Sequence, residues 1–123
     1  MRIYHIVLPD VWAAFDGDLY EHPSLSAEGF IHCSFEEQLD GVIERYYSNA
    51  ERLTVLEIDS ERLTSKLVNE PSTGGEIYPH IYGPINRDAI VGVKERELTG
   101  MKGMVNKNLI PSLLSPLSLL KTT

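Results

Sequence analysis

The residues of this chain best suited to chemistry are its four histidines, His5, His22, His32 and His80. Imidazole titrates near neutral pH without help, and it serves as metal ligand, general acid or base, or hydrogen-bonding platform. A metal site is the first use to test. Neither an H-x-H nor an H-x-x-x-H spacing brings two rings together locally, and the single cysteine, Cys33, rules out both a cysteine-rich zinc site and an intramolecular disulfide. The sequence therefore predicts no metal. Cys33 beside His32 does not make a thiol–imidazole pair, because adjacent strand residues point to opposite faces, and it reads as a small buried apolar residue. Ser24 and Ser26 lack a G-x-S-x-G context and read as turn or cap groups. Glu28, Glu70 and Glu76 are candidate carboxylates, although an acid in a turn is most simply solvated.

Alternation and punctuation say which elements carry these groups. "RIYHIV", residues 2 to 7, is a strand placing Ile3, His5 and Val7 on one face. "PDVWAAFDG" is a short helix opening at Pro9 and stopping at Gly17, and Tyr20 with "HPSLS" follows as an irregular connection. After Gly29, "FIHCS" is a strand with Phe30, His32 and Ser34 on one face and Ile31 and Cys33 on the other. Ser34 and Glu37 form a capping box for a helix carrying Leu39, Val42, Ile43 and Tyr46 at helical spacing. "LTVLEID" is a core strand, "SERLTS" a single turn, and "KLVNE" a strand leading into the turn "PSTGGE". "IYPHIYGPI" is extended because Pro79 and Pro84 exclude the helical region for the residues before them, and "DAIVGVKEREL" closes the sheet. The order is that of an α+β domain.

Three histidines thus fall on strands or extended segments. Each buried imidazole must satisfy two nitrogens, so these rings are either core residues bonded to backbone or the lining of a shared polar cleft. His80 and Tyr82 point the same way in "PHIYGPI", and Gly83 permits close approach of a ligand or of another backbone.

A length of 123 residues fits a single domain, assigned to residues 1–98, with an apolar tail over 99–123. The tail, broken by Pro111 and Pro116, is expected to dock on the domain or on a partner subunit, leaving room for a homodimer. No run approaches the ~18 apolar residues of a membrane span and no secretory h-region opens the chain, so the expected compartment is the cytoplasm, with no membrane partner. A net charge of −7 disfavours an extended nucleic-acid surface but leaves room for a small anion pocket and a nucleotide as small-molecule partner.

Taken together, "YHIV", Trp12, "SLSAEGFIHCS", Gln38, "VLEID" and "GGEIYPHIYGPI" resemble the small bacterial family known as domain of unknown function 952, over about residues 2 to 95. That family resembles in turn the ADP-ribosyltransferase fold, which implies two small mixed β-sheets forming a cleft, with two or three helices, and NAD as substrate. By strand order His5 takes the first cleft position and His32 the second. This is similar to the two-histidine branch containing the RNA 2′-phosphotransferases, where a hydrophobic residue replaces the glutamate of the protein-modifying branch. Ile81 is assigned the third position, with His80 and Tyr82 beside it, and Ser34 joins the binding residues on the face of His32. The resemblance casts His5 and His32 as catalytic, His32 stacking on a flat base and His5 bonding a ribose hydroxyl. The alternatives are a non-catalytic nucleotide-binding module and a structural or interaction domain.

Overall fold

The structure, a computed structural model, describes residues 1–72 and 74–98. The expected docking of the tail therefore lies outside the described residues.

Among the described residues, eight strands and three short α-helices follow the alternation of the sequence. They are β1 (Arg2–Val7), α1 (Pro9–Ala13), β2 (Leu19–Tyr20), α2 (Pro23–Glu28), β3 (Ile31–His32), α3 (Leu39–Tyr46), β4 (Arg52–Asp59), β5 (Lys66–Pro71), β6 (Ile77–Tyr82), β7 (Ile85–Asn86) and β8 (Ile90–Glu97). The strands form three sheets, in the orders β1-β4-β8, β2-β7 and β3-β6-β5. Every pairing is antiparallel. The α+β class holds, whereas the expected two mixed sheets are corrected to three antiparallel ones. Parallel neighbours need a long crossover, and here β5 and β6 are joined by a tight turn instead. A bridge ties the first sheet to the third: Tyr4 N–H donates to the Ser34 carbonyl (2.8 Å) and Ser34 N–H to that of Tyr4 (2.7 Å).

The pleat of β1 and β4 divides the core in two. Ile3 and Val7 meet Leu56 and Ile58 on one side, joined by Ile31 and Ile81 of the third sheet, Ile85 and Tyr20. On the other side Ile6, Leu53 and Val55 receive Leu39 and Ile43 of α3. Full burial of an aliphatic side chain is worth about 1.5–3 kcal/mol, so these two clusters hold β1 and β4 from both faces. His5, between Ile3 and Val7, is thereby driven into the first cluster's side of the sheet.

Two local expectations are corrected. The connection after Tyr20 is not irregular but contains α2, with Pro23 at its first position and the His22 ring as its cap, accepting from Ser24 N–H at 3.1 Å. Gly29 ends it in the left-handed conformation (φ 93°), which a glycine adopts without a side-chain penalty. The cap before α3 is not Ser34–Glu37. Gln38 Oε1 accepts from Phe35 N–H (2.9 Å), one residue later, because Ser34 N–H is already engaged by the bridge to Tyr4.

Candidate functional site

A cleft of about 410 Å³ opens where the bridge joins the two larger sheets. His5, His22, His32 and His80 all line it, with Ser34 and Cys33, the aromatic rings of Tyr46, Tyr47 and Tyr78, and aliphatic Ile6 and Val42. The volume lies in the ~300–1,000 Å³ range of small-molecule pockets, and the mixture of flat apolar rings with a few polar atoms is typical of them. Neither a carboxylate nor a lysine or arginine belongs to this lining among the described residues. Arg45 stands just behind it, donating to Tyr78 Oη (2.6 Å) with its guanidinium 5.8 Å from the Tyr46 ring centre.

The four rings differ in what occupies their nitrogens. His5 is 2% exposed. Its Nδ1–H donates to the His32 carbonyl (2.7 Å), and since that oxygen can only accept, Nε2 is the unprotonated nitrogen and accepts from Tyr20 O–H (3.1 Å). Burial pushes its pKa down from 6.5 to about 4, partly offset by the bond to the His32 carbonyl, so the ring is neutral. With both nitrogens committed, His5 has no free atom for the ribose hydroxyl expected from its strand position; it meets a ligand only through ring carbon.

His32 is half exposed, and its Nε2–H donates to Glu28 (3.1 Å) across the end of α2. His22 accepts from Ser24 N–H and Ser24 O–H through Nδ1, which places its proton on Nε2. Burial, then the proximity of His32, holds its pKa down, with Glu28 opposing.

His80 is 3% exposed, and its Nδ1–H donates to Glu70 at 2.7 Å. The same carboxylate oxygen accepts from Tyr82 O–H. These two bonds, Tyr82 foremost, hold Glu70 below the usual carboxylate range. Phe30 stacks on the His80 ring at 4.1 Å, and His32 meets it edge-on at 5.5 Å. Nε2 of His80 is buried without a hydrogen-bond partner among the described residues.

The structure thus brings His5, His32, Ser34 and His80 to one cleft. Tyr82 lies outside the lining, on Glu70. Ile81 is corrected from cleft to core: it is fully buried among Ile3, Ile31 and Leu56, because on β6 it points opposite to His80. Tyr78, two residues before His80 on the same face, takes the cleft position instead. The close approach at Gly83 is made by the Ser65 side chain, which a Cβ there would strike. Cys33 is buried, its thiol pKa raised by desolvation, and has no thiolate character at neutral pH. Among the described residues no group of three or more His, Cys, Asp or Glu side chains is arranged to hold a metal ion. Sequence reasoning missed His22 and the pairing of Glu70 with His80. Pro23 followed by Ser24 was the available signal for the first, and the hairpin register for the second.

An α+β fold of small antiparallel sheets meeting at a histidine-lined cleft defines the class. The chain belongs to the DUF952 family, described as a protein of unknown function, which it matches over residues 6–93. It is similar to the crystal structure of protein CC0527 from Caulobacter crescentus, with a TM-score of 0.68 and 28% identity over 77% of this chain and 85% of that one. The solution NMR structure of CC0527 gives a TM-score of 0.63 at 28% identity over 78% and 83% of the respective chains. No curated protein matches the chain. Among the described residues no helix is long and apolar enough to cross a membrane.

Proposed function

We propose that the cleft binds the nicotinamide–ribose end of NAD, or a related nucleotide, and that the protein is an ADP-ribosyltransferase-like enzyme. The observation that carries this reading is the convergence of His5 from β1 and His32 from β3 on one cleft walled by tyrosine rings. A planar base stacks on such rings, and a neutral His5 shapes the pocket without repelling a positively charged nicotinamide. Ribosyl transfer passes through an electron-poor oxocarbenium, so a site without fixed cations in its wall suits it. The phosphates would lie outward, toward Arg45, which already bonds the rim through Tyr78.

A second reading, a nucleotide-binding module without catalysis, is favoured by the lack of a carboxylate in the described lining. Turnover separates the two. Under the first reading NAD or ADP-ribose raises the melting temperature and nicotinamide is released on incubation with NAD. Under the second the stabilisation appears without release. No stabilisation by NAD, ADP-ribose or any nucleotide phosphate refutes both, and His32→Ala should weaken binding about tenfold or more.

A further inference from the structure

We propose that Glu70 and His80 form a general-base dyad of this cleft, with His80 Nε2 taking the proton of the hydroxyl that attacks the ribose. The inference deepens the proposed function and rests on it. Three observations carry it. His80 lines the cleft, while the carboxylate bonded to its Nδ1 does not. An imidazole whose Nδ1–H is held by a carboxylate presents Nε2 as its unprotonated, basic nitrogen. That nitrogen is buried with no partner among the described residues, an arrangement that a folded chain tolerates at a cost and that an incoming donor relieves.

The surroundings fix the ring for this purpose. Phe30 lies flat against one face and His32 meets it edge-on, so the plane is set before a ligand arrives. Tyr82 O–H shares the Glu70 oxygen, which keeps that carboxylate ionised and turned toward Nδ1. His80 differs from the other rings in keeping its basic nitrogen buried and unbonded: both His5 nitrogens are bonded, His22 Nδ1 is on Ser24, and His32, whose Nε2–H is on Glu28, carries its basic Nδ1 on a half-exposed ring.

In the step assigned to the dyad, the acceptor O–H bond breaks as its proton moves to His80 Nε2. The oxygen lone pair forms the bond to the ribose anomeric carbon. The electron pair of the bond from that carbon to nitrogen leaves with nicotinamide, whose ring passes from cationic to neutral. The imidazolium, steadied by Glu70, then returns its proton to solvent. The acceptor is a hydroxyl or water, and no oxidant or reductant is required. His80 is the catalytic residue and Glu70 a positioning residue.

The test uses the full chain with NAD as probe, binding measured by calorimetry and turnover by nicotinamide release. His80→Asn keeps a donor where Nδ1 stood and removes Nε2; it should bind NAD within about threefold of the wild type while kcat falls about a hundredfold or more. Glu70→Gln should lower kcat about tenfold at unchanged KM. In histidine ¹⁵N spectra of the unliganded protein at neutral pH, His80 should show a protonated Nδ1 and a bare Nε2. Wild-type turnover in His80→Asn overturns the dyad, as does a protonated Nε2 in the spectra. Should His80→Asn fail to fold, Glu70→Gln and the spectra decide. A wild type that binds NAD without releasing nicotinamide overturns the dyad and leaves the binding site standing. A wild type that binds no NAD overturns the proposed function, and the dyad with it.

Discussion

Replacing His5 with glutamine should flatten the acid limb of the stability curve. In the folded chain burial lowers the His5 pKa from 6.5 to about 4, whereas the unfolded chain restores the ordinary value. Between those two values the unfolded state takes up a proton that the native state refuses. The stability of the neutral ring is therefore fully present above about pH 6.5 and is drawn down as pH falls toward 4. At about 1.4 kcal/mol per pH unit the gap is worth about 3 kcal/mol, a large share of the ~5–15 kcal/mol that holds a domain together. Glutamine donates to the His32 carbonyl and accepts from Tyr20 O–H without ever titrating, so the variant keeps the bonding logic and loses the pH dependence. Urea unfolding at pH 7.5, 6.5, 5.5 and 4.5 measures it, and the difference between wild type and variant isolates His5 from His22, whose pKa is lowered too. Parallel curves across that range would refute a neutral, buried His5. By the same geometry His5→Ala does not spare the fold. That change orphans the buried Tyr20 hydroxyl and opens a cavity, and should cost about 3–5 kcal/mol.

Gln38 accepts from Phe35 N–H and donates to Glu76 (3.0 Å) and the Ile77 carbonyl (2.8 Å); Gln38→Ala should cost about 1–2 kcal/mol in chemical denaturation, and a change within error would show that the clamp carries nothing. Arg45→Ala should weaken NAD about tenfold while leaving nicotinamide riboside unaffected, measured by calorimetry; equal losses for both would remove Arg45 from the phosphate end. Elemental analysis of the purified protein should find no stoichiometric metal, and zinc lost on His5 or His32 substitution would overturn that.

Much of the fold was legible because its strands are half-buried and alternate. β1 and β4 each send odd and even residues to different clusters, and α3 repeats Leu39 and Ile43 at helical spacing. α2 was not, because six residues carrying Leu25 as their one large apolar side chain have no periodicity to read, although Pro23 and Gly29 marked both ends. The number and direction of the sheets were also hidden, since alternation reports which face of a strand is buried and not which strand lies beside it. Glu70 is the instructive case. Beside the turn "PSTGGE" it reads as a solvated acid, yet the register Glu70↔Tyr78 and Val68↔His80 sets it on β5, on the sheet face that holds His80. A hairpin centred on Gly74 implies that register, and with it the carboxylate's reach.

Two rings of one residue type on one cleft are suited to different work because of what holds each Nδ1–H. The proton of His5 goes to a neutral carbonyl and its other nitrogen to a hydroxyl, so nothing compensates a charge on the ring and burial keeps it neutral. The proton of His80 goes to an ionised carboxylate, which would stabilise the charge that proton uptake at Nε2 creates. His5 thereby fastens β1 to β3 and to Tyr20, building the wall against which a ligand would lie. His80 keeps the one property that fastening removes, a nitrogen free to accept. Strand alternation placed both rings at the cleft, and it is the partners supplied by the third sheet and by β2 that divide structural from chemical work between them.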